Sequence, residues 1–207
     1  MSIAHFKKAA AIILVASEDQ LVTYDLIKQA VVDVIISKKK SQGQAIPTQV
    51  DISFDDQYSL EAALQVITLR NLKTKQAIAK YEGHLYPVQH IHFAPTTHAF
   101  VSAANSECML WNPRDHLKAG GEQVLEISQP DKIFDQASSD PITSVVLKEI
   151  GDDKTYMIAV QTDSTSSVFY TKSLGTSSKA SAAGKSKTVK KECTVRLAAA
   201  SEEFINA

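Results

Sequence analysis

At 207 residues the chain has room for one sizeable core or two small ones, and its 44% hydrophobic and 22% charged content excludes wholesale disorder. A formal net charge of −1 gives no global pull toward nucleic acid or acidic membrane, so such binding has to come from local patches. The two cysteines, Cys108 and Cys193, lie far apart with no CxxC pairing, which fits a reducing compartment and not a small disulfide scaffold.

The first predicted element is AAIILVAS, part of an apolar run from Ala9 to Ala16 that follows Lys7-Lys8. The run is shorter than a membrane span and leads into Ser17-Glu18-Asp19 without a small-residue cleavage site, so it reads as a buried strand. Further β-branched segments follow in order: QLVTYDL, AVVDVII, TQVDISF, LQVITLRNL, PVQHIHF and AFVSAA. CMLWN, QVLEIS, ITSVVLK, YMIAVQT, SSVFYT and CTVRLAA complete the series. Turn-forming pairs such as Asp55-Asp56, Pro95-Thr96 and Gly151-Asp152 separate them. Leu60 to Leu64 has the length of a helical turn but runs straight into QVITL, and is assigned to strand.

VTYDL, TLRNL and MLWNP align as a repeat. Their Tyr24, Arg70 and Trp111 are 46 and 41 residues apart, each followed by Asp25, Asn71 or Asn112. VFYTK places a fourth member, Tyr170, 59 residues further on, with the added length in polar loops. A period of roughly 40–45 with four short strands per unit is that of a propeller blade.

The third unit carries a more specific pattern: Gly83-His84, then Pro87-Val88, Ile91-His92-Phe93-Ala94-Pro95, Ala99 to Ala104, and Trp111-Asn112. It resembles the WD-repeat family. The resemblance implies an all-β propeller of about four blades, a fragment of a larger ring, with blades over 1–170, a flexible Ser/Ala/Gly/Lys-rich insertion over 171–191, and an outer strand opening a further blade over 192–207. It also implies a hydrogen-bonded tetrad inside the blade, made here by His84, Ser102, Asn105 and Trp111. Asn105 stands where that family has an acid, so the network would lose a charge-assisted bond.

HLYPVQHIHFAPTTH, His84 to His98, holds four of six histidines. His90 and His92 share one strand face, which is a start toward metal ligation, but a third ligand is wanting and His98 lies beyond the Pro95-Thr96-Thr97 turn. Packing between blades is the better reading, with no metal and no cofactor. No nucleophile-base order, paired-carboxylate frame or phosphate-cradling glycine loop is present, so the chain is not expected to be an enzyme or to take a small-molecule substrate. Two basic segments remain, Lys38-Lys39-Lys40 and the set Lys179, Lys185, Lys187, Lys190 and Lys191. They read as solvated loops or as phosphate-binding arms for RNA or a partner, without interleaved aromatics for base readout.

The wording QVITLRNLKTKQAIAKYEGHLYPVQHIHFAP, with the Lys/Ser insertion beside CTVRLAA, is similar to the nucleolar WD-repeat subunits of the small-subunit processome, the t-UTP or UtpA group. That similarity implies a scaffold in ribosome biogenesis and pre-18S rRNA processing, in the nucleolus. Its partners would be other WD-repeat proteins, pre-ribosomal RNA and the U3 ribonucleoprotein, with no membrane. The alternative is a cytoplasmic WD-repeat adaptor for peptide partners, such as a ubiquitin-ligase substrate receptor.

Overall fold

The computed structural model describes residues 1–8, 11–37, 45–113, 117, 127–128, 130, 132–135, 140–150 and 155–172. Among the described residues four largely antiparallel sheets follow one another along the chain. Blade one is β1 (Ser2–His5), β2 (Ile12–Ala16), β3 (Gln20–Asp25) and β4 (Ala30–Ser37). Blade two is β5 (Gln49–Ile52), β6 (Tyr58–Ala63), β7 (Val66–Asn71) and β8 (Ala77–Tyr81). Blade three begins with β9 (His90–Phe93), β10 (Phe100–Ala104) and β11 (Glu107–Trp111). The chain then adds β12 (Ile127–Ser128) in parallel to β8 of blade two before returning with β13 (Lys132–Asp135) as the outer strand of blade three. Blade four has β14 (Ile142–Ile150), β15 (Thr155–Thr162) and β16 (Ser166–Lys172). The first strands of successive blades lie together, and the sheets fan outward from them as a partial β-propeller.

Why these segments form blades follows from their alternation. A strand with both faces buried needs apolar residues on both, and β10 (FVSAA) and β11 (ECMLW) supply them, with every residue of the first buried. Phe100, Met109 and Trp111 pack on Leu60, Ile67, Leu69 and Tyr81 of blade two. The alternate residues, Val101, Ala103, Cys108 and Leu110, pack on Val145, Ile158 and Val160 of blade four. A third cluster joins Leu14, Leu21 and Ile36 of blade one to Val50 and Ile52. Each fully buried Leu, Ile or Phe in such a layer contributes about 1.5–3 kcal/mol, so face-to-face contact between blades is the main source of stability.

Several elements differ from the sequence reading. LQVITLRNL is not one strand: Leu64 sits at φ 55° in a two-residue turn that separates β6 from β7. No glycine or asparagine marks that turn, which is why the segment reads as continuous. β1, β8 and β13 are strands that apolar patterning did not single out. β8, Ala77-Ile78-Ala79-Lys80-Tyr81, is outer, has an exposed lysine and lacks a β-branched run. Tyr170 lies on the third strand of its blade, as the repeat predicts, but on the wrong face. Phe169 and Thr171 pair with Ile158 and Tyr156 and turn with them toward blade three, so the fourth unit is out of phase by one residue. CTVRLAA, both basic segments and Asp152-Asp153 lie outside the described residues.

Candidate functional site

The polar side chains that suggest chemistry cluster inside and between blades. In blade three, strand β10 places Ser102 beneath the indole of Trp111, which stacks on Phe100 with ring centroids 5.9 Å apart and meets Tyr81 edge-on at 5.4 Å. Trp111 Nε1 donates to Ser102 Oγ at 2.7 Å, and Ser102 Oγ lies 2.6 Å from His84 Nε2. The serine has one proton and no other described acceptor, so it donates to Nε2, and the His84 proton sits on Nδ1. That atom faces Glu107 Oε2 at 3.6 Å, longer than a hydrogen bond, and neither atom has another partner. Burial drives the His84 pKa down to about 4, so the ring is neutral at pH 7.

The structure thus brings together His84, Ser102 and Trp111, and leaves Asn105 out. Asn105 is the left-handed residue of the two-residue β10–β11 turn, at φ 51°, and its carbonyl accepts from the Ile142 amide at the start of blade four. Asparagine tolerates that conformation because its side chain is short and polar. The acid that faces the histidine is Glu107, two residues on. An acidic residue opening the strand that ends in Trp111 is the signal that could have found it.

Blade two fills the same position differently. Arg70, aligned with Trp111, is buried and holds Glu61 in a two-pronged bond, Nε to Oε1 at 2.7 Å and Nη2 to Oε2 at 2.9 Å. Ser59 Oγ donates to Glu61 Oε1 at 3.0 Å, and Arg70 Nη1 reaches the Lys75 carbonyl at 2.8 Å. Glu61 precedes Arg70 by nine residues, as Ser102 precedes Trp111 by nine. The pair therefore replaces the Trp–Ser bond with an ion pair that fixes the same two strands. In the turns that follow, Asp25 accepts from the Ile27 and Lys28 amides, and Asn71 from those of Lys73 and Thr74. The aligned Asp and Asn thus serve as turn formers.

His90, His92 and His98 each face a neighbouring blade. His90 Nε2 lies 3.2 Å from the Ile142 carbonyl of blade four. His92 Nδ1 stands 3.9 Å from Asp51 Oδ2 of blade two, and that same oxygen accepts from the Phe93 amide at 2.8 Å. Burial raises the Asp51 pKa and lowers that of His92. His98 Nε2 meets Asp55 Oδ2 at 3.0 Å, and Asp55 also accepts from Ser53 Oγ. Asp56 accepts from the Lys7 and Lys8 amides of blade one, and Glu149 of blade four accepts from Thr96 and Thr97. These turns fasten each blade to the next along one face of the arc. Among the described residues no group of three or more His, Cys, Asp or Glu could hold a metal ion. Lys38, Lys39, Lys40, Lys179, Lys185, Lys187, Lys190 and Lys191 lie outside the described residues.

The described sheets and their packing define a partial β-propeller. Among solved structures the chain is similar to the C-terminal WD40 domain of Sif2, with a TM-score of 0.57 and 18% identity, over 81% of this chain and 42% of that one. At that identity the likeness is one of fold, and the chain spans less than half the length of its neighbour. No family model matches the chain, and no curated protein does so.

Proposed function

We propose that the chain is a non-catalytic scaffold of a large ribonucleoprotein assembly, of the U-three-protein-five type found in the t-UTP (UtpA) group of the small-subunit processome. It would act in ribosome biogenesis and pre-18S rRNA processing in the nucleolus. The observation that carries a scaffold role is the use of His84, His90 and His98, the groups best suited to chemistry, in bonds that hold strands or blades together. A rigid array with large faces offers surface for partners, and the lysine segments offer a sequence-indifferent contact to an RNA backbone. The processome assignment rests on the sequence resemblance.

The full-length chain, tagged and recovered from nuclear extract, is expected to bring down other WD-repeat proteins and U3 RNA. Neutralising Lys38–Lys40 and the five lysines between Lys179 and Lys191 with glutamine is expected to remove salt-sensitive RNA retention. Unchanged retention at ~50 mM salt would remove the RNA role. A second reading, a cytoplasmic adaptor for peptides, is favoured by the exposed Leu64, Leu85 and Tyr86, on two loops tied where the Val88 amide bonds the Leu64 carbonyl at 2.8 Å. Recovery of a ubiquitin-ligase core in place of U3 RNA decides for it.

A further inference from the structure

Blade three reaches its outer strand by a detour. Between the third and fourth strands, blade one uses four residues (26–29) and blade two uses five (72–76), whereas blade three uses twenty (112–131). Antiparallel neighbours need only a tight turn, so joining β11 to β13 does not account for the added chain. The detour crosses to blade two and lays β12 along the outer edge of β8, in parallel, with Ile127 beside Lys80 and Ser128 beside Tyr81. On either side of β12 it is anchored to the layer between blades two and three. Leu117 packs on the cluster that contains Tyr81 and Trp111, and its amide bonds the Pro113 carbonyl at 3.2 Å. Pro130 lies beside Gly83: a Cβ placed there would stand 3.5 Å from Pro130 Cδ and 3.5 Å from Trp111 Cη2.

We propose that the outer edge of blade two is a docking edge for an extended peptide segment of a partner protein, which adds to β8 in the place that β12 occupies in cis. The chain's own strand shows that this edge accepts a parallel guest through main-chain pairing. β12 pairs with two of the five residues of β8, and parallel pairing is the weaker kind per residue. A guest that spans β8 therefore makes more main-chain bonds than β12 gives up. In favour of β12 stands its tether, which keeps it at high effective concentration beside the edge. Because Leu117 and Pro130 supply the detour's contacts with the Tyr81–Trp111 layer, β12 can leave the edge while those anchors stay in place. The guest is rich in β-branched and other apolar residues, the composition of Val124-Leu125-Glu126-Ile127 in the chain's own segment. This docking edge needs only blades two and three and is independent of the processome assignment.

The probe is the chain's own segment as a fluorescein-labelled peptide, Gln123–Pro130, titrated with the full chain and read by fluorescence anisotropy. In a parallel pair one residue turns both main-chain groups to its neighbour and the next turns them away. Ile127→Pro and Ser128→Pro together therefore remove the donor that holds β12 to β8. The double variant is expected to bind the peptide about tenfold more tightly than wild type, which binds it at about 1 mM or below. A circular dichroism melt close to wild type establishes that the variant folds. On the wild-type chain, and whatever the variant does, two further peptides read the same edge, one N-methylated at Ile127 and the other at Ser128. One methyl group is expected to abolish binding and the other to leave it. A folded variant that binds no more tightly than wild type overturns the proposal. So does a wild-type chain that binds no peptide at about 1 mM, or two methylated peptides that bind alike.

Discussion

Ser102→Ala removes one oxygen and leaves two buried groups without partners, the Trp111 Nε1–H and the lone pair of His84 Nε2. Ser102 is fully buried and Trp111 is 1% exposed, so water cannot take the serine's place without opening the blade two–blade three layer. Each orphaned group costs about 1–3 kcal/mol, and the missing hydroxyl leaves a void too small for water, so the expected loss is about 2–5 kcal/mol. Trp111→Phe on the wild-type background also destabilises, through lost bonding and a cavity. In the double variant the indole donor is already gone, and the serine's removal orphans only the histidine. The two losses should therefore fall short of additivity by at least about 1 kcal/mol. Urea unfolding followed by far-UV circular dichroism measures all four corners of the cycle, because Trp111 is the only tryptophan and its fluorescence is lost in two of them. Additive losses, or a Ser102→Ala loss below about 0.5 kcal/mol, would refute the network as a structural device.

The ion pair of blade two should behave as a unit: Arg70→Met alone strands a buried Glu61 carboxylate and is expected to cost about 3–5 kcal/mol, while Arg70→Met with Glu61→Leu recovers most of it in the same unfolding assay. His84 is neutral when folded, with a pKa of about 4, but takes a proton near pH 6.5 when unfolded. The unfolded chain binds the extra proton between those values, so this term stabilises fully above pH 6.5 and is lost as pH falls toward 4, by at most about 3 kcal/mol. His84→Gln should flatten the stability slope across that window, and an unchanged slope would assign it to other groups. Burial pushes the Cys108 thiol up to about 12, so in a Cys193→Ser background it should react with a thiol reagent only as fast as the chain unfolds. Rapid labelling under native conditions would show that the blade three–blade four layer opens.

Asp51 shows how much of the inter-blade chemistry eludes a linear reading. In the sequence it is one polar residue in TQVDISF, yet its Oδ2 bonds the Phe93 amide, 42 residues away. Nothing local distinguishes it from Asp56, whose carboxylate meets the Lys7 and Lys8 amides. Glu61 was legible in principle, since its nine-residue offset from Arg70 repeats that of Ser102 from Trp111. Reading it required accepting a Glu–Arg pair where the better-matched unit has Ser–Trp. Asn105 illustrates the converse. Its place in the repeat suggests a network role, while backbone geometry claims it for the turn and hands the acidic position to Glu107.

The sequence by itself determined the class of architecture, because the β-branched alternation and the spacing of Tyr24, Arg70 and Trp111 are local properties that survive without knowledge of neighbours. The resemblance of the third unit to WD repeats pointed to His84, Ser102 and Trp111, which the structure joins in one hydrogen-bonded hub. Only the tertiary structure decided which face each strand turns to its neighbour, since a shift of one residue reverses it, as Tyr170 does relative to Phe169 and Thr171. It alone decided which carboxylate answers which histidine or amide. Those partners belong to different blades, and their distances are set by how apolar sheet faces stack, not by separation along the chain.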